Sequence, residues 1–136
     1  MVAGGCLVPC QTEIGLLETT IGNITSAYPG ADQYLVPYNG AAQQAQVSTP
    51  LMVAAANAYS ASCPNTPIVF VGYSLGGIVV MNTLCGGISA NPNVIAAIVY
   101  GEETYTYPQP FDLGTCVNNA VCVIPFKNKL FSSTFI

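Results

Sequence analysis

Two hydrophobic periods alternate along the chain. In "GLLETTIGNITSAYPG", Leu16, Leu17, Ile21, Ile24 and Ala27 recur at helical spacing, and Pro29-Gly30 closes the run. "DQYLVPY", Asp32 to Tyr38, is a short apolar run between turn residues and predicts a strand. A polar, small-residue loop, "NGAAQQAQ", follows. Ser48-Thr49 then predicts a cap for the helix "PLMVAAANAYSAS", with Pro50 in its first turn and Cys63-Pro64-Asn65 as its stop. "IVFVGY" and "VIAAIVYG" are continuous β-branched runs, the pattern of strands covered on both faces. Between them Ile78, Val79, Met81, Asn82 and Cys85 predict a helix ending at Gly86-Gly87. Strands alternating with helices imply βαβ units, hence an α/β three-layer sandwich around a central parallel sheet. Residues 1–122 read as one domain. Residues 123–136, "VIPFKNKLFSSTFI", show no clear period and read as an aberrant C-terminal tail.

Composition narrows the function. The chain has 136 residues, 51% of them hydrophobic and 6% charged, with a net charge of −4. Both basic residues, Lys127 and Lys129, lie in the tail, so residues 1–126 hold no Lys, Arg or His. Such a surface cannot neutralise phosphates, which excludes nucleic acid and anionic membrane surfaces as partners. No segment reaches the roughly 18 apolar residues of a membrane span. Six cysteines without histidine and without paired CxxC spacing argue against a metal site and are compatible with disulfides. No cofactor is expected. Asn23-Ile24-Thr25 is a glycosylation sequon, in keeping with secretion. "MVAGGCLVPC" lacks a basic n-region and an unbroken apolar run, so it does not read as a signal peptide.

The chemistry concentrates in Gly72-Tyr73-Ser74-Leu75-Gly76, a G-x-S-x-G sequence between a buried strand and an apolar helix. In that setting the serine occupies a strained strand-to-helix turn that lifts its hydroxyl above the sheet. Glycine is required two residues either side, because a Cβ there would meet the tightly packed turn. The helix that starts at Leu75 aims its first N–H groups at the serine, where an oxyanion would develop.

The segment "CPNTPIVFVGYSLGG…LCGG" resembles the nucleophile region of the cutinase family, the fungal cutinases and acetylxylan esterases of carbohydrate esterase family 5. "ITSAYPGADQYLVPYNG" is similar to its first helix and second strand, and "IAAIVYGEETYTYPQPFDLGTC" to a later strand and loop. The likeness covers about residues 11–122. It implies an α/β-hydrolase, truncated at both ends, that hydrolyses carboxylic esters of cutin or acetylated xylan through an acyl-enzyme on Ser74. It also implies that Leu75 N–H is one oxyanion donor, and that Gln11-Thr12-Glu13 stands where the family's second donor lies in an Arg-x-Ser/Thr-Thr-Glu loop. Cys63 matches a cysteine bridged to the N-terminal region, with Cys6 or Cys10 as partner. Cys116 matches a cysteine whose family partner is missing here, leaving Cys122 as a nearby alternative. A secreted monomer acting on a plant polymer ester is the expectation.

The departures carry equal weight. The family's first strand, expected before Cys10, is essentially absent, and the arginine of the oxyanion loop is missing. The resemblance places the catalytic Asp and His beyond the Gly114-Thr115-Cys116 segment, where this chain diverges at about Val123 and holds no histidine. A serine hydroxyl is a poor nucleophile without a base, and losing the base of such a triad costs on the order of 10⁶ in rate. The chain as written is therefore expected to be inactive, with Asp32, Glu102, Glu103 and Asp112 poor substitutes. Glu102 and Glu103, adjacent in an extended segment, point to opposite sides and cannot flank one glycosidic bond. Tyr100, Tyr105 and Tyr107 read as packing residues rather than sugar platforms, and Cys85 as a buried helix residue or one half of a bridge. The alternatives are a non-catalytic secreted binding protein on a degenerate hydrolase scaffold, or a small cysteine-rich surface protein with Ser74 buried.

Overall fold

The structure, a computed structural model, describes residues 1–3, 15–37, 45–86, 88–101, 112–113 and 130–134. Among these residues five strands form one sheet: β1 (Val2–Ala3), β2 (Ile68–Tyr73), β3 (Val94–Tyr100), β4 (Asp112–Leu113) and β5 (Leu130–Thr134), in the order β1-β2-β3-β5-β4. All four pairings are parallel. Three α-helices among the described residues accompany them: α1 (Glu18–Ala27), α2 (Ala45–Ser62) and α3 (Leu75–Cys85).

The sheet's two faces bury two separate clusters, because successive side chains of a strand point to opposite sides. Ile68 and Phe70 of β2 pack with Met52 and Ala56 of α2 and with Val79, Val80 and Leu84 of α3. On the other face Val71 packs with Ile21 of α1 and with Leu17, in the single 3-10 turn that precedes it. Helices on both faces of a parallel sheet make the three-layer α/β sandwich. The β-branched runs become strands covered on both sides for this reason. In α3 only Asn82, Cys85 and the half-buried Leu75 and Ile78 escape full burial. Its buried hydroxyl, Thr83 Oγ1, donates to Val79 O at 2.8 Å, so this donor is not stranded in the apolar layer.

Several expectations are corrected. The first strand is present: β1 pairs Val2 with Val71 and Ala3 with Gly72, and Met1 extends the contact through Val71 N–H to Met1 O at 2.9 Å. The run Asp32 to Tyr38 is not a strand over its described part, where Leu35 alone forms a bridge. Its side chain instead joins the α1-side cluster. Helix α2 starts at Ala45, upstream of the predicted cap, and Pro50 lies inside it. Neither hydroxyl caps. Ser48 Oγ donates to Pro37 O at 3.0 Å, and Thr49 Oγ1 donates back to Ala45 O at 2.6 Å. Ser48, buried, is thus spent on tying the 31–37 segment to α2. Leu130–Thr134, within the tail, forms β5 beside β3.

At the amino ends of β2 and β3 one side chain closes the sandwich. Asn93 is buried, and its Nδ2 donates to the carbonyls of Cys63, Pro64 and Thr66 at 3.1, 3.0 and 2.9 Å. Its own carbonyl accepts Ile68 N–H at 2.6 Å. The turn leaving α2 and the turn entering β3 are held together by this residue, which fixes where β2 begins.

Candidate active site

Parallel strands place their carboxyl ends along one edge of the sheet, where open α/β folds open a crevice. The register pairs Tyr73 with Tyr100, so β2 and β3 end level with each other. Ser74 follows β2 there, with φ 52° and ψ −122°, alone among the described non-glycine residues in having positive φ. That region is costly for any residue with a Cβ, about 1–3 kcal/mol, and such strain persists only where surroundings enforce it. They do so at both peptide groups. Ser74 N–H donates to Tyr100 O at 2.8 Å, while Ser74 O accepts Gly77 N–H at 2.8 Å and Ile78 N–H at 3.3 Å. The backbone is tied to β3 on one side and to the first turn of α3 on the other.

The Ser74 hydroxyl makes no capping bond to the helix, and the residue is half-buried rather than sealed in the core. Leu75 and Gly76 open α3, ahead of the Gly77 N–H that is spent on Ser74 O, and N–H groups at these first positions have no intrahelical acceptor. They and the helix dipole supply positive potential beside Ser74, the arrangement that stabilises a developing oxyanion. Gly72 is required as expected. A Cβ there would stand 2.7 Å from Gly76 O, 2.8 Å from Val80 Cγ2 and 2.9 Å from Gly77 Cα.

Tyr100 was missed as a site residue by the reading of the sequence. Besides holding Ser74 N–H, its hydroxyl lies 3.2 Å from Thr20 Oγ1, so β3, the serine turn and α1 meet through one residue. Gly101 follows at φ 60° and releases the chain from the sheet beside the serine. The tether uses a backbone carbonyl, so only the register of β2 against β3 could have pointed to it.

Other predicted residues scatter. Asp32 is exposed and lines a cavity that runs along β2 from Ile68 to Val71, a lining that does not include Ser74. Asn23 is exposed on α1. Cys63 carries a free thiol, so the Cys63 bridge is not formed; this residue ends α2, where its N–H donates to Tyr59 O at 2.8 Å. Cys85 is exposed and disulfide-bonded, which decides between its two readings. Gln11, Thr12, Cys6, Cys10, Cys116, Cys122, Glu102, Glu103, Tyr105 and Tyr107 lie outside the described residues. Among the described residues no group of three His, Cys, Asp or Glu could hold a metal ion, and no helix is long and apolar enough to cross a membrane.

Comparison with known proteins agrees with this geometry. The cutinase family model matches residues 5–129. Cutinase 11 of Verticillium dahliae is 31% identical over 82% of this chain and 46% of its own length. Acetylxylan esterase 2 of Talaromyces purpureogenus is 29% identical over 75% of this chain and 55% of its own. The chain thus spans about half the length of these relatives. A solved acetylxylan esterase superposes with a TM-score of 0.76 at 25% identity, over 98% of this chain and 80% of that one. A cutinase-like protein from Cryptococcus sp., at 19% identity, shares the fold with a TM-score of 0.75 over 98% of this chain and 73% of its own.

Proposed function

The chain belongs to the cutinase family, and from that premise we propose that it is the nucleophile-bearing part of a secreted serine esterase acting on plant polymer esters, cutin or acetylated xylan. The observation that carries the reading is the Ser74 backbone at φ 52° and ψ −122°, between β2 and α3. In the proposed reaction Ser74 Oγ attacks the ester carbonyl, and the oxyanion is met by N–H groups of the α3 start, Leu75 among them, and of the Gln11-Thr12 loop. The alcohol leaves, and water then hydrolyses the acyl-Ser74 ester. Proton transfer from Ser74 needs a base, and no histidine occurs in these 136 residues. This chain by itself is therefore inactive or nearly so. Family membership and the exposed Asn23 of an intact sequon support an extracellular setting.

The missing histidine favours one second reading, a non-catalytic binding protein on the same scaffold. Acetate release from acetylated xylan and p-nitrophenyl acetate, measured on the protein purified from its natural source, separates the two. Hydrolysis that disappears in Ser74→Ala supports the esterase. Ligand binding without hydrolysis supports the alternative.

A further inference from the structure

On the amino side of Ser74, a cavity of about 430 Å³ opens between α1, the 30–34 segment, Tyr59 of α2, Met1 and the stretch of β2 from Ile68 to Val71. Its size falls within the roughly 300–1,000 Å³ of small-ligand sites. Its floor is apolar, with Ile24, Ile68 and Val69. Its mouth carries three tyrosines, Tyr28, Tyr34 and Tyr59, which leave 70%, 44% and 36% of their surface in solvent. Gly30, at φ 99°, turns the chain so that Asp32 and Gln33 follow directly into the lining.

Aromatic rings usually bury most of their surface, and three exposed around one concavity form a platform rather than a core. The negative ring faces suit polarised C–H groups, while Asp32, Gln33 and the hydroxyls of Thr25 and Thr66 suit alcohol groups. Asp32 disfavours anions, and no Lys or Arg occurs before Lys127 to attract them. The Met1 amino group in the lining is spent on Val69 O and pushed down to a pKa of about 6 by burial. A buried alkyl ligand would want rings closing over it, whereas these stand open. We propose that this tyrosine-rimmed cavity binds an uncharged saccharide chain, independent of Ser74. It would hold the polymer while the ester is presented elsewhere. The choice of a xylan oligomer as probe rests on the esterase reading; the site itself does not.

The test is titration calorimetry of the 136-residue chain with unacetylated xylohexaose, repeated with Tyr28→Ala, Tyr34→Ala and Ser74→Ala, all at partly or well exposed positions. The expected result is binding that each tyrosine substitution weakens about two- to tenfold and that Ser74→Ala leaves unchanged. Absence of binding at millimolar sugar, binding indifferent to both tyrosines, or displacement of the sugar by dodecanol would each overturn the proposal. Loss through Ser74→Ala alone would assign the sugar to the serine site, which would overturn this proposal and leave the esterase reading standing.

Discussion

A Cβ on Gly72 would stand 2.7 Å from the carbonyl oxygen of Gly76, closer than real Cβ atoms come to a backbone atom. The backbone across the serine therefore holds position 72 to glycine, and α3 packs onto β2 only because position 72 has no side chain. Gly72→Ala is predicted to lose about 1–3 kcal/mol of stability, the usual cost of overpacking, measured by urea denaturation. The backbone atoms of Gly76 and Gly77 cannot move without displacing α3, so the serine turn should distort as well.

Ser74 itself is strained. Replacing it by glycine releases about 1–3 kcal/mol of backbone strain and gives back about 0.5–1 kcal/mol in unfolded-chain entropy. Ser74→Gly should therefore stabilise the fold by about 1 kcal/mol on the same principles, whereas Ser74→Ala, which keeps the Cβ, should leave stability nearly unchanged. Thermal unfolding of the two variants side by side checks this. A site where the functional residue is worse for stability than glycine is the signature of strain held for chemistry.

The elbow was legible because G-x-S-x-G names residue types that the turn demands sterically, and the buried β-branched run before it left no alternative to a strand. The layer order followed from the same runs. The first strand escaped notice because two residues, Val2 and Ala3, are too few to display any period. Asp32–Tyr38 misled because Leu35 and Val36 are apolar for packing while, among the described residues of the run, Leu35 alone pairs. Ser48 misled because a capping residue type also serves as an ordinary donor, here to Pro37 O, once the helix has begun upstream. Tyr100 was hidden because its contribution to the serine turn is a carbonyl oxygen, which every residue carries; only the register of β2 against β3 picks it out.

Asn93 is the second position where one residue decides local structure. Three carbonyls, those of Cys63, Pro64 and Thr66, converge on its amide in a buried site. Asn93→Ala leaves them without that donor and should cost about 2–3 kcal/mol, seen as a lower urea midpoint with an unchanged slope. Asn93→Asp should be worse near neutral pH, since a carboxylate would face three carbonyl oxygens. Protonation on acidification supplies an O–H donor, so stability of that variant should recover as pH falls.

The hydroxyl pair Thr20–Tyr100, at 3.2 Å and partly buried, should contribute little by comparison. Tyr100→Phe is predicted to cost about 0.5–1.5 kcal/mol and to leave the Ser74 tether intact, because that bond uses the Tyr100 backbone. Equal losses in Tyr100→Phe and Thr20→Val, with no further loss in the double variant, would show that the bond acts as a unit.

The central claim is that Ser74 is the nucleophile of an ester hydrolase whose base is not among these 136 residues. It is tested most directly by treating two samples with a fluorophosphonate, the protein purified from its natural source and the 136-residue chain, and mapping the adduct by peptide mass spectrometry. The account predicts rapid, stoichiometric labelling of Ser74 in the natural protein and labelling slower by orders of magnitude in the 136-residue chain. An active natural esterase labelled at any other residue, with Ser74 unmodified, would contradict it.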